Sequence, residues 1–329
     1  MNKFMLLLLL LFSVLWGLSS SSWFSLWVAL EINSMMLMPL MMLKVYQQYT
    51  ESTMKYFLIQ SISSLLFIMC TLLMNNSLWM FMELNLIMNF IMISMFMKIG
   101  MFPFIFWYVE IITKISFLGM KLIMTVQKIL PMIIINMMFN KNSMLFFLVM
   151  INMLISSIIA MNQINMKKIL SLSSINQMGW MMMSLILNYS TFIIYLITYS
   201  FILFIIIKFM KMYSIKSMIQ MFCMNNLFMS FSIMSMSGLP PFSGFIMKWM
   251  IIMLMMDYNM IMLTIIMIIS SMISLYFYMR LIMISFMMTF MKMKWIIKNN
   301  YNFKLNYLNL NALLSLFLIP FLNFIYMII

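Results

Sequence analysis

The chain has 329 residues and a formal net charge of +14, and it is 66% hydrophobic but only 7% charged. Soluble domains carry about 25% charged residues, so this chain cannot cover its apolar surface with polar side chains. The composition excludes a soluble protein and predicts an all-α integral membrane protein. Helices are expected because apolar runs of about 20 residues recur along the whole chain, whereas the strands of a barrel are shorter and alternate.

Rare and missing residue types narrow the chemistry further. The sequence has no histidine, which excludes imidazole catalysis, histidine-ligated haem and histidine metal sites. Its two cysteines, Cys70 and Cys223, lie in apolar runs and are predicted to pack as small hydrophobic side chains. The lysines are spread through short loops between apolar runs, which favours a role in membrane orientation and predicts no nucleic-acid partner.

The residue usage also indicates where the protein is made. The sequence holds 55 Met and 31 Phe against 6 Gly and 6 Pro, a set typical of A/T-rich codons. So many methionines are expected where ATA is translated as Met, as in animal mitochondria. The composition therefore predicts an organelle-encoded protein in which Met often replaces Leu and Ile as an apolar filler.

Eleven apolar stretches predict membrane-spanning helices, with a polar loop at 44–55 between the second and the third. The segment 102–112 is too short to cross and is predicted to be a re-entrant or interfacial helix. The predicted spans are 4–18, 22–43, 56–74, 78–97, 115–139, 144–161, 169–187, 191–210, 221–256, 260–283 and 310–329.

The stretch 221–256 allows two interpretations. As one continuous helix it would be on the order of 50 Å long, against about 30 Å of hydrocarbon. The sequence G-L-P-P-F-S-G at 238–244 interrupts it, so it forms either two spans joined by a hairpin or one crossing with an unwound middle. One broken crossing keeps most of the basic loops on one side. The positive-inside rule therefore favours eleven spans with the N-terminus on the matrix side.

Four ionisable residues lie deep within the predicted spans: Glu31, Lys98, Lys128 and Lys248. Charge inside a span is costly and usually marks an ion or proton path. Structural alternatives exist for three of them. Glu31 could be a neutral, protonated core residue, Lys98 could extend its ammonium to the interface, and Lys248 could simply end its span. Lys128 is the hardest to explain in this way, because apolar sequence surrounds it on both sides.

Together, these residues can form a buried acid–base chain. Desolvation lowers the proton affinity of a lysine and raises that of a carboxylate, so that a proton can move between them, while a nearby ionised glutamate stabilises the charged lysine. Helix-breaking residues lie near each lysine, and broken helices admit water and expose backbone dipoles within the bilayer. The breakers are Gly100 and Pro103 after Lys98, Pro131 after Lys128, and the 238–244 segment before Lys248.

Several motifs carry a family resemblance. They are A-L-E-I-N (29–33), K-I-G-M-F-P-F-I-F-W-Y-V-E-I (98–111), T-V-Q-K-I-L-P (125–131), K-K-I-L-S-L-S-S-I-N-Q-M-G-W (167–180) and S-G-L-P-P-F-S-G-F-I-M-K-W (237–249). In this order they resemble chain 2 of mitochondrial NADH:ubiquinone oxidoreductase, respiratory complex I, in its shortened, insect-like animal form. The resemblance implies an antiporter-like membrane subunit that contributes to proton translocation coupled to electron transfer from NADH to ubiquinone.

The resemblance also implies roles for individual residues within one polytopic membrane domain, 1–329. Glu31 and Lys98 match the family's glutamate–lysine pair and Lys128 its central lysine, which together form a first half-channel. Lys248 matches the lysine of the broken helix in a second half-channel. The chain departs from the family at Ile105 and Gln177, where histidines are common. Glu110 matches a glutamate expected to be interfacial or structural, and Lys168 a basic position expected to anchor the span.

The resemblance further implies that the chain binds no redox cofactor itself, since FMN, iron–sulfur clusters and ubiquinone belong to the complex. The sequence agrees, with no cysteine cluster and no Gly-rich dinucleotide fingerprint. The implied partners are other membrane-arm subunits and lipids such as cardiolipin, in the inner mitochondrial membrane. Two alternatives stay open: a related cation/proton antiporter subunit, and a structural spacer of the membrane arm that does not conduct.

Overall fold

The computed structural model describes residues 3–42, 47–75, 84–138, 143–223 and 227–292. The described chain is helical apart from an isolated antiparallel bridge between Asn165 and Ser217. It forms two compact units, Met1–Leu148 and Val149–Ile329. Glu31, Lys98 and Lys128 lie in the first unit and Lys248 lies in the second. The single-domain arrangement therefore stays a prediction.

Seven helices of the first unit are described, and an eighth runs across the boundary. In the first unit α1 packs on α2, α2 on α3, α3 on α4, and α4 on α7. The helices are α1 (Lys3–Ser19), α2 (Trp23–Met41), α3 (Gln47–Asn75), α4 (Leu84–Ile99), α5 (Ile105–Lys114), α6 (Phe117–Met124), α7 (Val126–Met137) and α8 (Ser143–Met161).

The second unit surrounds a buried helix, α9. Every residue from Ile169 to Leu185 is buried, as expected for a helix that contacts other helices on all sides. Helices α10, α12 and α13 pack on it. The elements of this unit are α9 (Met166–Leu187), α10 (Tyr189–Met212), a 3₁₀ helix (Met218–Cys223), α11 (Leu227–Ser237), α12 (Ser243–Asp257) and α13 (Ile261–Lys292).

Five described helical segments are long and apolar enough to cross a membrane, which confirms the prediction of an all-α, multi-pass membrane protein. They are Trp23–Met41, Gln47–Met74, Phe117–Met137, Tyr189–Met212 and Ile261–Ile284. The last predicted span, 310–329, lies outside the described residues. Cys70 is buried, as predicted for a packed thiol, whereas the side chain of Cys223 is outside the described set.

The structure corrects the predicted loop at 44–55. Helix α3 already begins at Gln47, so most of that polar segment is helical. Its 29 residues make a helix of about 43 Å, longer than the ~30 Å of hydrocarbon. The polar first turns of α3 therefore extend beyond the apolar layer. Polar residues form a helix there because Glu51 and Lys55 both pair with charges on α5.

The break in the fifth predicted span is also displaced. We expected it at Pro131, but Pro131 lies inside α7, and the chain breaks at Thr125 between α6 and α7. Thr125 has ψ −75°, outside regular helix geometry, and its hydroxyl donates to Lys121 O at 2.9 Å. Pro131 has no N–H to donate to Gln127 O, the acceptor four residues earlier, so it removes one backbone hydrogen bond of α7.

The lengths of helices α11 and α12 help to choose between the two interpretations of the stretch 221–256. They contain 11 and 15 residues, which correspond to about 16 and 22 Å. Neither is long enough to cross about 30 Å of hydrocarbon alone. These lengths favour one crossing with a break at 239–242 over a hairpin of two full spans. Gly238 ends α11 with φ +82°, a conformation that a side chain would strain.

Ion pairs hold the short helix α5 against α3. Its ten residues are too few to cross, and it buries Ile105, Tyr108 and Ile111 while Glu110 stays exposed. Glu110 accepts from Lys55 at 2.5 Å and from Lys114 at 3.3 Å. This arrangement agrees with the predicted interfacial helix and with the structural role expected for Glu110. The pKa of the Glu110 carboxyl is lowered, first by its hydrogen bond with Lys55 and then by that with Lys114.

Replacing Glu110 by glutamine tests these ion pairs. Exposed pairs contribute about 0.2–1 kcal/mol, so Glu110→Gln should lower the free energy of unfolding by less than about 1 kcal/mol near pH 7. A depressed carboxyl pKa stabilises the fold above the unfolded-state pKa of about 4.3, and that stabilisation is lost as pH falls through the folded value. Denaturant unfolding in detergent micelles, at pH 7 and at a pH below the unfolded-state pKa, should show the difference shrink at the lower pH. An equal difference at both pH values would contradict the assignment.

A glycine substitution tests the close crossing of α11 and α12. A Cβ at Gly244 would overlap the backbone oxygen of Ser235, which cannot move without displacing α11. Gly244→Ala should therefore lower the free energy of unfolding by about 1–3 kcal/mol. Gly119→Ala is the control, because its Cβ would meet the flexible Met41 side chain at 3.1 Å. Gly119→Ala should leave the free energy of unfolding unchanged or raise it. Thermal unfolding measures both variants. Equal losses in both variants would be evidence against the crossing.

Candidate functional site

The three lysines predicted at depth are buried in their units. Exposure is 7% for Lys98, 3% for Lys128 and 6% for Lys248. Lys98 lies in the last turn of α4, but its ammonium does not extend to the surface of the first unit, as the interfacial alternative required. Lys248 lies within α12 and does not end it. Buried charges need polar or aromatic neighbours, and each lysine has them.

Glu31 lies near the middle of α2 and is half-buried. Its carboxylate interacts electrostatically with the ammonium of Lys98 and with the hydroxyl of Tyr56. The ion pairs of the described residues do not include a direct contact between Glu31 and Lys98. The Gln60 side chain of α3 donates to Lys98 O at 3.1 Å. Helices α2, α3 and α4 therefore meet around Lys98.

A glycine and a tyrosine connect the end of α4 to Lys128. Gly100 adopts φ +80°, and its N–H and that of Met101 both donate to Phe96 O, at 2.9 and 3.1 Å. This geometry closes the helix directly after Lys98. A Cβ at Gly100 would lie 2.6 Å from Tyr108 Cβ, so only glycine lets α5 approach. The Tyr108 ring then lies 5.1 Å from Lys128 Nζ, close enough for a cation–π interaction.

Lys128 and its neighbour Gln127 also connect α7 to α2. The break at Thr125 starts α7 just before them, and Lys128 N–H donates to Thr125 O at 3.3 Å. Gln127 Nε2 donates to Asn33 O at 3.1 Å and to Asn33 Oδ1 at 3.0 Å. Asn33 lies two residues after Glu31. The polar side of α7 is therefore attached to the part of α2 that carries the carboxylate.

Lys248 in the second unit is held at the break between α11 and α12. Its Nζ donates to Ser237 O at 3.0 Å, at the end of α11. A Cβ at Gly238 would lie 3.0 Å from the same nitrogen, so glycine leaves room for the ammonium. The ring centroid of Trp180, on α9, is 5.9 Å from Nζ. The helix break leaves the Ser237 carbonyl without a helical donor, and the Lys248 ammonium donates to it instead.

Gln177 takes the place where a histidine was expected from the resemblance, and the structure shows what it binds. Its Nε2 donates to Met236 O at 3.2 Å, next to the carbonyl used by Lys248. Its Oε1 accepts a short hydrogen bond from the hydroxyl of Tyr195 on α10. A cavity of about 20 Å³ lies beside this pair and is lined by Gln177, Tyr195, Thr198, Tyr199 and Ser235 among others. That volume is sufficient for about one water molecule.

Sequence reasoning identified the charged residues and missed their polar neighbours. Gln60, Tyr108, Trp180 and Tyr195 gave no signal of their own, because aromatic and amide side chains are common in such spans. Tyr108 and Trp180, like Asn33 and Gln127, lie within the motifs quoted above, and that position was the one available clue to them. In the described part of the chain, no three His, Cys, Asp or Glu side chains are grouped as metal ligands. That the chain binds no cofactor stays a prediction.

Comparison with known proteins identifies a family and relatives that this chain is similar to. Residues 20–274 match the family described as NADH:quinone oxidoreductase/Mrp antiporter, TM. NADH-ubiquinone oxidoreductase chain 2 of Anopheles gambiae is 35% identical over 92% of this chain and 92% of its own length. These findings confirm the resemblance derived from the motifs.

Two solved structures share the fold. A chain of respiratory complex I from Thermus thermophilus aligns with TM-score 0.75 and 20% identity, covering 85% of this chain and 69% of that one. A chain of the Mrp complex from Dietzia sp. aligns with TM-score 0.71 and 16% identity over 84% of this chain. The present chain covers 59% of the Mrp chain's length.

The Gln177–Tyr195 pair can be tested by a double-mutant cycle. Gln177→Leu leaves the Tyr195 hydroxyl and Met236 O without a partner in a buried site, which should cost about 1–3 kcal/mol of stability. Adding Tyr195→Phe removes one of the two orphaned groups, so the double variant should be more stable than the sum of the single variants predicts. Thermal unfolding of the full chain in micelles measures this. Strict additivity would show that the two side chains do not interact.

Proposed function

The chain belongs to the NADH:quinone oxidoreductase/Mrp antiporter family, with relatives named NADH-ubiquinone oxidoreductase chain 2, and we propose that it is a membrane-arm subunit of respiratory complex I. In this role it contributes to proton translocation across the inner mitochondrial membrane. It acts as part of an NADH:ubiquinone reductase and holds no redox site itself. FMN, iron–sulfur clusters and ubiquinone are then bound by other subunits.

One observation carries the proton-translocation proposal: three lysines are buried within apolar units, each beside a helix end or break. Burying an ammonium costs several kcal/mol unless the site compensates for it. An inert scaffold would gain nothing from burying an ammonium group at three separate positions. A proton path does gain from a buried ammonium group, because a buried group changes its charge readily when its surroundings change.

In the first unit the proton-accepting groups are Glu31, Lys98 and Lys128. An ionised Glu31 favours the protonated form of Lys98, and withdrawal or protonation of the carboxylate favours release of that proton. Tyr108 lies between the end of α4 and Lys128, so its ring stabilises the ammonium form of Lys128. Alternating the charge of Glu31 would then move a proton through the unit.

In the second unit the proton-accepting group is Lys248. Its ammonium is stabilised by Ser237 O and by the Trp180 ring. Gln177 replaces the histidine common at its position, and an amide does not accept a proton at neutral pH. Proton movement here would use Lys248, hydroxyl groups such as that of Tyr195, and water in the adjoining cavity.

The proposed topology has eleven spans, one of them broken between α11 and α12, with the N-terminus on the matrix side. The partners are other membrane-arm subunits and membrane lipids such as cardiolipin. Two alternatives predict different behaviour from the same fold: a spacer that holds its neighbours without conducting, and a cation/proton antiporter subunit. The Mrp likeness supports the fold alone.

Neutralising Lys128 separates these functions. Lys128→Met keeps the side-chain length and removes a buried charge, so assembly of the complex should be preserved. Loss of a proton-transferring group typically slows transfer by about 100-fold or more. We therefore expect NADH-driven proton pumping by membrane vesicles to fall sharply, measured with a pH-sensitive dye alongside NADH oxidation.

Lys55→Met is the matched control, because Lys55 is exposed and already paired with Glu110. It should pump like the parent complex. Normal pumping by an assembled Lys128→Met complex would establish the spacer and overturn the proposal. Proton movement that persists without NADH oxidation and requires an added cation would establish the antiporter.

A further inference from the structure

Three segments of the second unit meet at one end of α9. The connection after α8 forms an antiparallel bridge with residues before the 3₁₀ helix. Met166 N–H donates to Lys216 O at 2.9 Å, and Met218 N–H donates to Ile164 O at 3.0 Å. Arg280 of α13 reaches the same place, where its Nη2 donates to Gln163 O at 3.1 Å. Backbone contacts thus hold this junction together without its lysine side chains.

The junction concentrates positive charge. We define the basic junction as Lys167, Lys168, Lys216 and Arg280. Burial, and then the like charge of Lys216, lower the pKa of Lys167, which precedes the apolar part of α9, to about 8. The N-terminus of α9 adds the positive end of a helix dipole at the same position. These charges repel one another unless an anion is present.

Acidic residues are rare in the sequence of the second unit. Asp257 is the single acidic residue after position 148 in the sequence. Among the described residues, Lys168, Lys216 and Arg280 make no ion pair with a carboxylate, and every ion pair involves Lys55 or Lys114 of the first unit. Arg280 Nε is buried without a hydrogen-bond partner. An anion bound from outside the chain would balance these charges.

Apolar side chains surround the basic junction and face outward. Ile164 is 59% exposed and Ile219 is 68% exposed, although both adjoin the bridge. Tyr213, also exposed, precedes Lys216 on the same connection. A basic group beside exposed aliphatic and tyrosine side chains is typical of the boundary between hydrocarbon and headgroups.

From this juxtaposition we propose that the basic junction binds the phosphate group of an anionic phospholipid, whose acyl chains lie along Ile164 and Ile219. Arginine and lysine together suit a phosphate, since guanidinium donates in a planar fork and ammonium acts as a point charge. Free phosphate would leave the apolar side chains uncovered. An acidic protein segment could match the charge, but the exposed aliphatic surface at a membrane boundary favours lipid. This inference rests on the lipid partnership proposed above and gives it a site, but it does not depend on the proton path, because the site contains none of the path's lysines.

The test measures lipid binding to the full chain in detergent micelles by native mass spectrometry, with phosphatidylglycerol as the probe and phosphatidylcholine for comparison. Basic residues near a membrane surface contribute enough that each one lost should weaken phosphatidylglycerol binding about fivefold. The Lys216→Gln/Arg280→Gln variant should thus bind about 25-fold more weakly, with little change for phosphatidylcholine. The matched control Lys55→Gln removes a lysine already paired with Glu110 and should bind as the parent does.

Several results would overturn the proposal. Equal phosphatidylglycerol binding by the parent and the double variant would do so. Displacement of the lipid by millimolar inorganic phosphate would show a site for a free anion. Unchanged lipid binding with loss of a neighbouring subunit from the variant complex on a native gel would identify an acidic protein partner. If Arg280→Gln impairs folding, Lys216→Gln alone serves, because Lys216 contributes its backbone atoms to the junction, and it should show the fivefold loss.

Discussion

Backbone polar groups inside a bilayer have no water to bind, so every interrupted helix must find partners for its free carbonyls within the protein. This constraint organises both units. Lys248 donates to Ser237 O and Gln177 to Met236 O where α11 stops. Gln60 donates to Lys98 O where α4 stops. Helix ends and the candidate site residues therefore occur together, because buried lysine and glutamine residues supply the donors that the free carbonyls need or lie where those carbonyls are.

The two units contain the same local arrangement, built from different residues. In each, a glycine with positive φ ends a helix near a buried lysine, Gly100 in the first unit and Gly238 in the second. In each, an aromatic ring from another helix faces a buried ammonium, Tyr108 for Lys128 and Trp180 for Lys248. Glycine allows the close approach, and the ring stabilises charge without a competing carboxylate. In the first unit the half-buried Glu31 also interacts electrostatically with Lys98.

Charge is distributed unevenly between the units. The described ion pairs are confined to the first unit, where Glu51 and Glu110 balance Lys55 and Lys114 and attach α5 to α3. The second unit has basic residues at the start of α9 and almost no acidic ones. An apolar protein tolerates this where headgroups or water screen the charge, which is the reason for proposing a lipid phosphate as the partner of these basic residues.

The sequence by itself determined the membrane class, most helices and the burial of three lysines, because hydropathy over about 20 residues and a charge within an apolar run are local signals. The tertiary structure decided the rest. Helix α3 extends into the polar segment after Gln47 because its charges pair with α5, and the chain breaks at Thr125, whose hydroxyl bonds back to Lys121, while α7 continues through Pro131. The partners Tyr108, Trp180 and Tyr195 come from other helices. Which of many similar aromatic side chains faces a lysine depends on packing between distant segments, and no local pattern encodes it.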